Sequence, residues 1–170
     1  MRLLISFIFL ILFTAGCSIW DSGRYYSEEY DFSIKFPEKW ALQEGFRNSI
    51  VRAENPHYSE DKVFQETINI VADRLPSGMD IDEYHASARS VLQDSFPGLA
   101  FGENGTSVID NRKAYWFTYT YNLVPVEIKS VVYSIMKDGK VFLITCISEE
   151  ERFDRMKPVF DECAESFKFR

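Results

Sequence analysis

Apolar and polar residues alternate along several stretches of the chain, a period of two that predicts strands with one buried face. In the first stretch, Phe32, Ile34 and Phe36 alternate with polar neighbours, and Pro37 ends the pattern because it lacks an N–H group. Further short strands are predicted at residues 48–53, 67–73 and 107–109.

Three longer strands are predicted in the second half of the chain, at residues 115–121, 126–136 and 141–147. The pair Asp138-Gly139 favours a tight hairpin between the last two, because both residues tolerate the positive φ angles of a type I′ turn. Residues 141–147 are almost continuously apolar, which predicts a central strand covered on both faces.

A first helix is predicted at residues 80–96. Asp80 and Glu83 have the spacing of a capping box, in which each side chain accepts a backbone hydrogen bond in the first turn. The helical period places one apolar face toward a sheet, formed by Ile81, Tyr84, Ala88, Val91 and Leu92.

A second helix is predicted near the C-terminus, opened by a capping box of Ser148 and Glu151 and kinked at Pro158. Its inner face is predicted to consist of Phe153, Met156, Phe160, Cys163 and Phe167. The order strands, helix, strands, helix indicates an α+β domain with helices packed on an antiparallel sheet, without an internal repeat or a second domain.

The first 16 residues have the pattern of a signal peptide, with Arg2 followed by an apolar run that is too short to span a bilayer. Ala15, Gly16 and Cys17 resemble the bacterial lipoprotein box, although Thr14 stands where an aliphatic residue is usual. We therefore expect a signal peptide at 1–16, lipidation of Cys17, a tether at 17–29 and one domain at 30–170. An ordinary secretory leader is the alternative.

Composition supports a folded, exported domain. Aromatic residues make up 16% of the chain, which excludes a disordered protein, and the net charge of −7 disfavours binding to nucleic acid. Membrane attachment is therefore expected through acyl chains on Cys17. Cys146 and Cys163 are expected to be two buried thiols, because the intervening helix would separate them by roughly 20 Å; a sharp kink at Pro158 would instead permit a disulfide.

The chain resembles the PsbP-like superfamily over most of residues 30–170. The resemblance rests on residues 30–40 (YDFSIKFPEKW), Leu75-Pro76 before the first helix, Phe153, 157–160 (KPVF) and 166–169 (SFKF). It implies an α/β/α sandwich around an antiparallel sheet of about six strands. It implies little about activity, because this fold serves photosystem assembly, nuclear-transport regulation and unassigned envelope roles.

The sequence predicts neither a catalytic site nor a metal or cofactor site. His57 and His85 are the only histidines and have no metal-binding spacing; His85 is expected at solvent or at the helix edge. The acidic clusters 80–83 and 149–151 are interpreted as first helical turns, where negative charge is favoured. Cys146 and Cys163 lie on apolar patterns that do not activate a thiol.

The sequence allows two interpretations of one strand face, either as part of the core or as a binding surface. Tyr115, Phe117, Tyr119 and Tyr121 share one face of a predicted strand, which is usually a core face but would suit a peptide, glycan or amphiphile if exposed.

The first functional hypothesis is a non-catalytic, lipid-anchored envelope protein that binds or supports another envelope component. It would lie on the outer membrane facing the periplasm in a cell with two membranes, or on the extracytoplasmic face of the plasma membrane otherwise. The alternative is a carrier or sensor that holds a small apolar or amphiphilic ligand between sheet and helix; an enzyme is not expected.

Overall fold

The computed structural model describes residues 23–56, 64–96 and 98–170. The strands are β1 Arg24–Ser27, β2 Phe32–Lys35, β3 Ala41–Glu44, β4 Val51–Glu54, β5 Thr67–Arg74, β6 Ala100–Ile109, β7 Arg112–Leu123, β8 Val126–Lys137, β9 Lys140–Glu149 and β10 Lys168–Phe169, and the helices are α1 Ile81–Ser95 and α2 Glu150–Glu165. No helix of this part of the chain is long and apolar enough to cross a membrane.

The strands of the described residues form two antiparallel sheets. The large sheet has seven strands in the order β3-β4-β5-β9-β8-β7-β6, and the small sheet has the order β1-β2-β10. Helix α2 and the small sheet pack on one face of the large sheet, and α1 lies on the other. The predicted α+β class and layered arrangement are confirmed, and the large sheet has one strand more than the predicted six.

The predicted meander of three long strands is confirmed as β7, β8 and β9. Asp138 and Gly139 join β8 to β9 with φ angles of 51° and 70°, the left-handed conformation that the Asp-Gly pair tolerates. Strand β9 is the middle strand of the large sheet. Phe142, Ile144 and Cys146 are buried on one of its faces; on the opposite face Val141 is fully buried, whereas Leu143, Thr145 and Ile147 are half-buried.

The main core lies between the large sheet, α2 and the small sheet. The rings of Phe32 in β2 and Phe167 after α2 stack with their centroids 4.9 Å apart, and Phe142 in β9 contacts both. Cys146 and Cys163 are free and buried in this core, as expected. Contacts between the two ends of the described chain therefore hold the sheets together.

A second, smaller core lies beneath α1. It contains Leu99, Phe117, Tyr119 and Val132, with four half-buried apolar residues around them. Helix α1 lies on the sheet as predicted, but none of its residues is fully buried. Val91 was predicted on its inner face and is 61% exposed; His85 and Arg89 occupy that face instead, with their side chains on the rings of β6 and β7.

The start of α2 corrects the prediction of a second capping box. Strand β9 continues to Glu149, which pairs with Ile128 of β8, so Ser148 is a buried strand residue. Its hydroxyl donates to the carbonyl oxygen of Glu149. The N-cap of α2 is Glu149, and no side chain caps the helix. Three strands were not predicted: β3, β10, and β1, which lies inside the predicted tether, so the folded region begins before Tyr30.

Candidate functional site

The predicted lipidation site and one histidine cannot be placed. Cys17, the signal peptide and His57 lie outside the described residues. Within the described ranges, no three His, Cys, Asp or Glu side chains converge as they do around a metal ion. The carboxylates of Asp80 and Glu83 are used in the capping box, where they accept from backbone N–H groups at 2.8 and 3.0 Å.

The stripe Tyr115, Phe117, Tyr119 and Tyr121 is mainly core. The first three residues are 7%, 2% and 7% exposed, because α1 and Leu99 cover them. Only Tyr121 is half-buried, and its ring contacts Phe96 at the end of α1 with the centroids 5.3 Å apart. The stripe therefore meets solvent only at this end.

His85 lies between α1 and this stripe. Its ring stands edge-on to Phe117 and tilted against Tyr115, with centroid separations of 5.0 and 5.4 Å. Burial lowers the pKa of His85, the charge of Arg89 lowers it further, and Asp82 opposes both. The prediction that His85 faces solvent or the helix edge is wrong, because the helical phase turns residues 81, 84, 85, 88, 89 and 92 toward the sheet.

A cleft of about 560 Å³ lies beside the small sheet. One wall is the β1 hairpin, residues 25–30, and the other is residues 44–50 at the β3–β4 turn. Both turns use left-handed backbone: φ is 54° at Asp31 and 64° at Gly45. These turns close the two hairpins, whose residues line the cleft from opposite sides.

The cleft is lined by aromatic rings and charged groups of both signs. Tyr25, Tyr26 and Tyr30 supply the rings, and Arg47 is the single basic residue of the lining. The carboxylates of the lining are those of Glu28, Glu29 and Glu44. The lining therefore offers aromatic rings, carboxylates and hydroxyls on an open surface, groups that are able to bind a ligand or a partner.

Tyr25 connects the two walls of the cleft. Burial raises the pKa of the Tyr25 hydroxyl, and its hydrogen bond to the Glu44 carboxylate raises it further. The Tyr25 hydroxyl therefore remains protonated at neutral pH. This site was not predicted because residues 25–29 were assigned to the tether; the density of tyrosines at 25, 26 and 30 was the available signal.

A buried ion-pair network lies elsewhere, at the start of α2. Arg152 contacts the carboxylate of Glu66 at 2.8 Å and that of Glu149 at 3.2 Å, and its guanidinium donates to the carbonyl oxygen of Phe64. Asn55 donates to the same Glu66 carboxylate. Glu66 is only 1% exposed, so the network joins β4, β5 and α2 rather than facing a ligand.

A second polar cluster joins α2 to the large sheet. Tyr133 donates to Asp161, which also binds Lys157 at 2.6 Å, and the Lys157 ammonium lies 5.3 Å from the ring centroid of Trp116. Burial and the bond to Asp161 raise the pKa of Tyr133. All its members are engaged with one another, which indicates a structural role.

Comparison with known proteins identifies the fold. The family model described as "PsbP-like protein" matches residues 20–169. The solution structure of cyanobacterial PsbP (CyanoP) from Synechocystis sp. PCC 6803 is similar to the chain with a TM-score of 0.64 at 17% identity, covering 86% of this chain and 91% of that one. No curated protein is significantly similar to the chain in sequence.

Two further structures share the fold. LpqN, described as involved in cell envelope biogenesis of Mycobacterium tuberculosis, has a TM-score of 0.61 at 12% identity and covers 81% of this chain and 82% of its own. The Saccharomyces cerevisiae Ran-binding protein Mog1p has a TM-score of 0.60 at 9% identity, covering 86% and 94%. At such identities the likeness shows the fold alone.

Proposed function

The chain belongs to the PsbP-like family, and from this premise we propose that it is a non-catalytic, lipid-anchored envelope protein that binds another envelope protein through the cleft. The observation that carries the proposal is the cleft itself. It offers three tyrosine rings and charged groups on two hairpins, an open shape that admits a polypeptide rather than enclosing a small molecule. Tyrosine is enriched at protein interfaces because it combines a large apolar ring with a hydroxyl.

The anchor is Cys17, and it holds the cleft near the membrane. Eight residue steps separate Cys17 from Tyr25, the first residue of the cleft, so an extended chain spans at most about 30 Å between them. The net charge of −7 gives anionic lipid no attraction of its own, so the acyl chains supply the attachment. The structurally similar LpqN, described as involved in cell envelope biogenesis, supports a role in the same compartment.

The membrane that holds the lipid anchor depends on whether the cell has one membrane or two. With two membranes, Ser18 after the lipidated cysteine agrees with sorting to the outer membrane, facing the periplasm. With one membrane, the protein lies on the extracytoplasmic face. In both cases the partner is a protein within the reach of the tether.

Site-specific photocrosslinking in the source organism tests this proposal. A photoreactive phenylalanine derivative replaces Tyr26 in the cleft, and Val108, which is 71% exposed on β6, serves as the control position. We expect one membrane-associated crosslinked protein from position 26 and none from position 108. Equal crosslinks from both positions, or none from position 26, would refute the cleft as the binding site.

The anchor has its own test, in which intact mass and detergent partitioning compare the wild type with Cys17→Ala. A mature chain that begins at Cys17 with added lipid mass, absent from the variant, is the expected result. A product cleaved elsewhere without lipid would remove the anchor from the proposal.

A second candidate function is a carrier of a small amphiphile between α1 and the sheet. It is favoured by one observation: the buried Nδ1 atom of His85 makes no hydrogen bond to any residue that the structure describes. The tight ring packing beneath α1 opposes it. Titration with decanoate, followed through the imidazole resonances of His85, tests this candidate: saturable shifts support it, and unchanged resonances exclude decanoate-like ligands.

A further inference from the structure

The cleft runs along the edge of β1 rather than over one of its faces. Tyr25, Tyr26 and Ser27 are consecutive, and all three line it. Successive side chains of a strand point to opposite faces of the sheet. Three consecutive residues therefore line one cleft only where the cleft meets the edge of the strand, which is where its backbone is accessible.

That edge of β1 carries unpaired backbone groups. The small sheet has the order β1-β2-β10, so β1 pairs with β2 on one side and with no strand of the described chain on the other. In an antiparallel pair, alternate residues direct both N–H and C=O away from the partner, so about two of the four residues of β1 offer these groups to the cleft. An extended segment in the cleft would satisfy them.

The walls of the cleft select the charge of such a segment. Glu28, Glu29 and Glu44 contribute three carboxylates, and Arg47 contributes one positive charge. All four residues are exposed. The excess of negative charge favours a segment with lysine or arginine side chains.

The other free edges of the described sheets are less suited to strand addition. Strand β6 is long, but its register shifts between Phe101 and Asn104, and such a bulge interrupts a ladder. Strand β10 has only two residues. Strand β3 contributes only Glu44 to the cleft. Only β1 combines a free edge, aromatic side chains and a cleft.

We propose that the cleft binds an extended, basic segment of the partner protein as an additional strand on the free edge of β1. This inference rests on the proposed function and specifies how the partner is recognised. Main-chain hydrogen bonds to β1 supply affinity, and the alternate side chains of the segment meet Tyr25 on one side and Tyr26 on the other.

Three synthetic peptides test the inference with the mature protein in detergent micelles, by calorimetry and amide chemical shifts. The first is acetyl-Thr-Lys-Val-Lys-Val-Thr-amide. The second replaces both lysines with glutamate, and the third is the basic peptide N-methylated at its four central amides, which removes the N–H groups that a ladder needs. We expect the basic peptide to shift the amides of residues 24–27, and the other two to bind at least about tenfold more weakly.

Two variants with the same change of charge test whether the carboxylates of the cleft cause the preference for a basic peptide. The variant Glu28→Gln/Glu29→Gln/Glu44→Gln alters the cleft, and Asp94→Asn/Glu103→Gln/Glu127→Gln alters exposed carboxylates outside it. We expect the first to weaken binding of the basic peptide about tenfold and the second to change it less than about twofold. Equal losses in both variants would refute selection by the cleft.

The outcomes separate the inference from the proposed function. Strand addition would be refuted if the N-methylated peptide bound as tightly as the basic peptide. It would also be refuted if none of the peptides bound while the crosslink from position 26 persisted. Either result would leave the cleft as a binding site. Absence of the crosslink from position 26 would refute the proposed function itself.

Discussion

The imidazole of His85 in α1 stands edge-on to the ring of Phe117 in β7, with the ring centroids 5.0 Å apart and the planes at 82°. This contact lies in the middle of the face that α1 presents to the sheet. Because no residue of α1 is fully buried, the helix is held by partly buried contacts such as this one and that of Arg89 with Phe101.

The packing of α1 is therefore expected to weaken in acid. Burial and the charge of Arg89 lower the pKa of His85 in the packed helix, with Asp82 opposing them, and Lys113 adds a positive charge beside Tyr115. In the detached helix the pKa of a histidine is near 6.5. As the pH falls below about 6.5, His85 of the detached helix binds a proton more readily than His85 of the packed helix. The free energy that favours the packed helix therefore decreases between about pH 6.5 and the lowered pKa of the packed form, and below that pKa it decreases no further.

Amide hydrogen exchange at pH 7.5 and 5.5, corrected for intrinsic rates, measures this effect. Protection of residues 84–95 should fall at pH 5.5 in the wild type and remain constant in His85→Gln. The variant His57→Gln, which removes the other histidine, should behave like the wild type. The same acid loss in His85→Gln would show that another group is responsible.

The Arg152–Glu66 pair is expected to contribute strongly to stability because Glu66 is 1% exposed. The variant Arg152→Met removes the Arg152 cation from the buried Glu66 carboxylate and should reduce the free energy of unfolding by about 3–5 kcal/mol, measured by urea denaturation. The double variant Arg152→Met/Glu66→Gln should recover much of this loss. Lys129→Met removes cation contacts to Glu150 and to the exposed Asp154, and should cost about 1 kcal/mol or less.

The two helices are expected to respond differently to loss of an acidic residue in the first turn. Glu83→Ala removes the acceptor for the Asp80 N–H group and should destabilise α1 by about 1 kcal/mol, seen as faster exchange of its amides. Glu151→Ala, at the matching position of the predicted second capping box, should change the exchange of α2 little, because no side chain caps that helix. Equal effects would contradict the observed start of α2.

The thiols of Cys146 and Cys163 are expected to be unreactive in the native protein. Burial raises the pKa of both thiols; Cys163 and Asp161 raise the pKa of Cys146 further, with Lys157 opposing them, and Glu162 raises the pKa of Cys163. Reaction of the native mature protein with a disulfide reagent at pH 8 should be at least about a hundredfold slower than reaction in urea. A fast native reaction that is lost in Cys163→Ser would show that the end of α2 opens readily.

Elements with strong local patterns were predictable. The capping box at Asp80 and the Asp138-Gly139 turn depend on residues within a few positions of each other, and both occur as predicted. The long alternation in β7 predicted which residues share a face, but it left open whether that face is core or binding surface, and packing of α1 and Leu99 makes it core. Only residues 107–109 of β6 were predicted as a strand, because the bulge between Phe101 and Asn104 interrupts the alternation. Phe101, before the bulge, packs in the core under α1, whereas Ile109, after it, packs in the main core on the other face of the sheet.

The errors have a common physical origin in distant contacts. Ser148 has the spacing of a cap, but pairing of β9 with β8 extends the strand past it. His85 follows Tyr84, which was predicted in the core, and was itself expected at solvent or at the helix edge. Both residues contact the sheet, His85 through Phe117 and Tyr84 through Asp73. In each case a neighbour far along the chain overrides the local pattern.

The sequence by itself determined the α+β class, the two helices, the long meander and the family resemblance, because these follow from periodicity over ten or more residues and from motifs in a fixed order. The cleft, in contrast, depends on the tertiary structure. Strand β1 has only four residues, too few for a reliable alternation, and it becomes a strand by pairing with β2. The pairing of β2 with β10, more than 130 residues away, then leaves β1 at the free edge of its sheet.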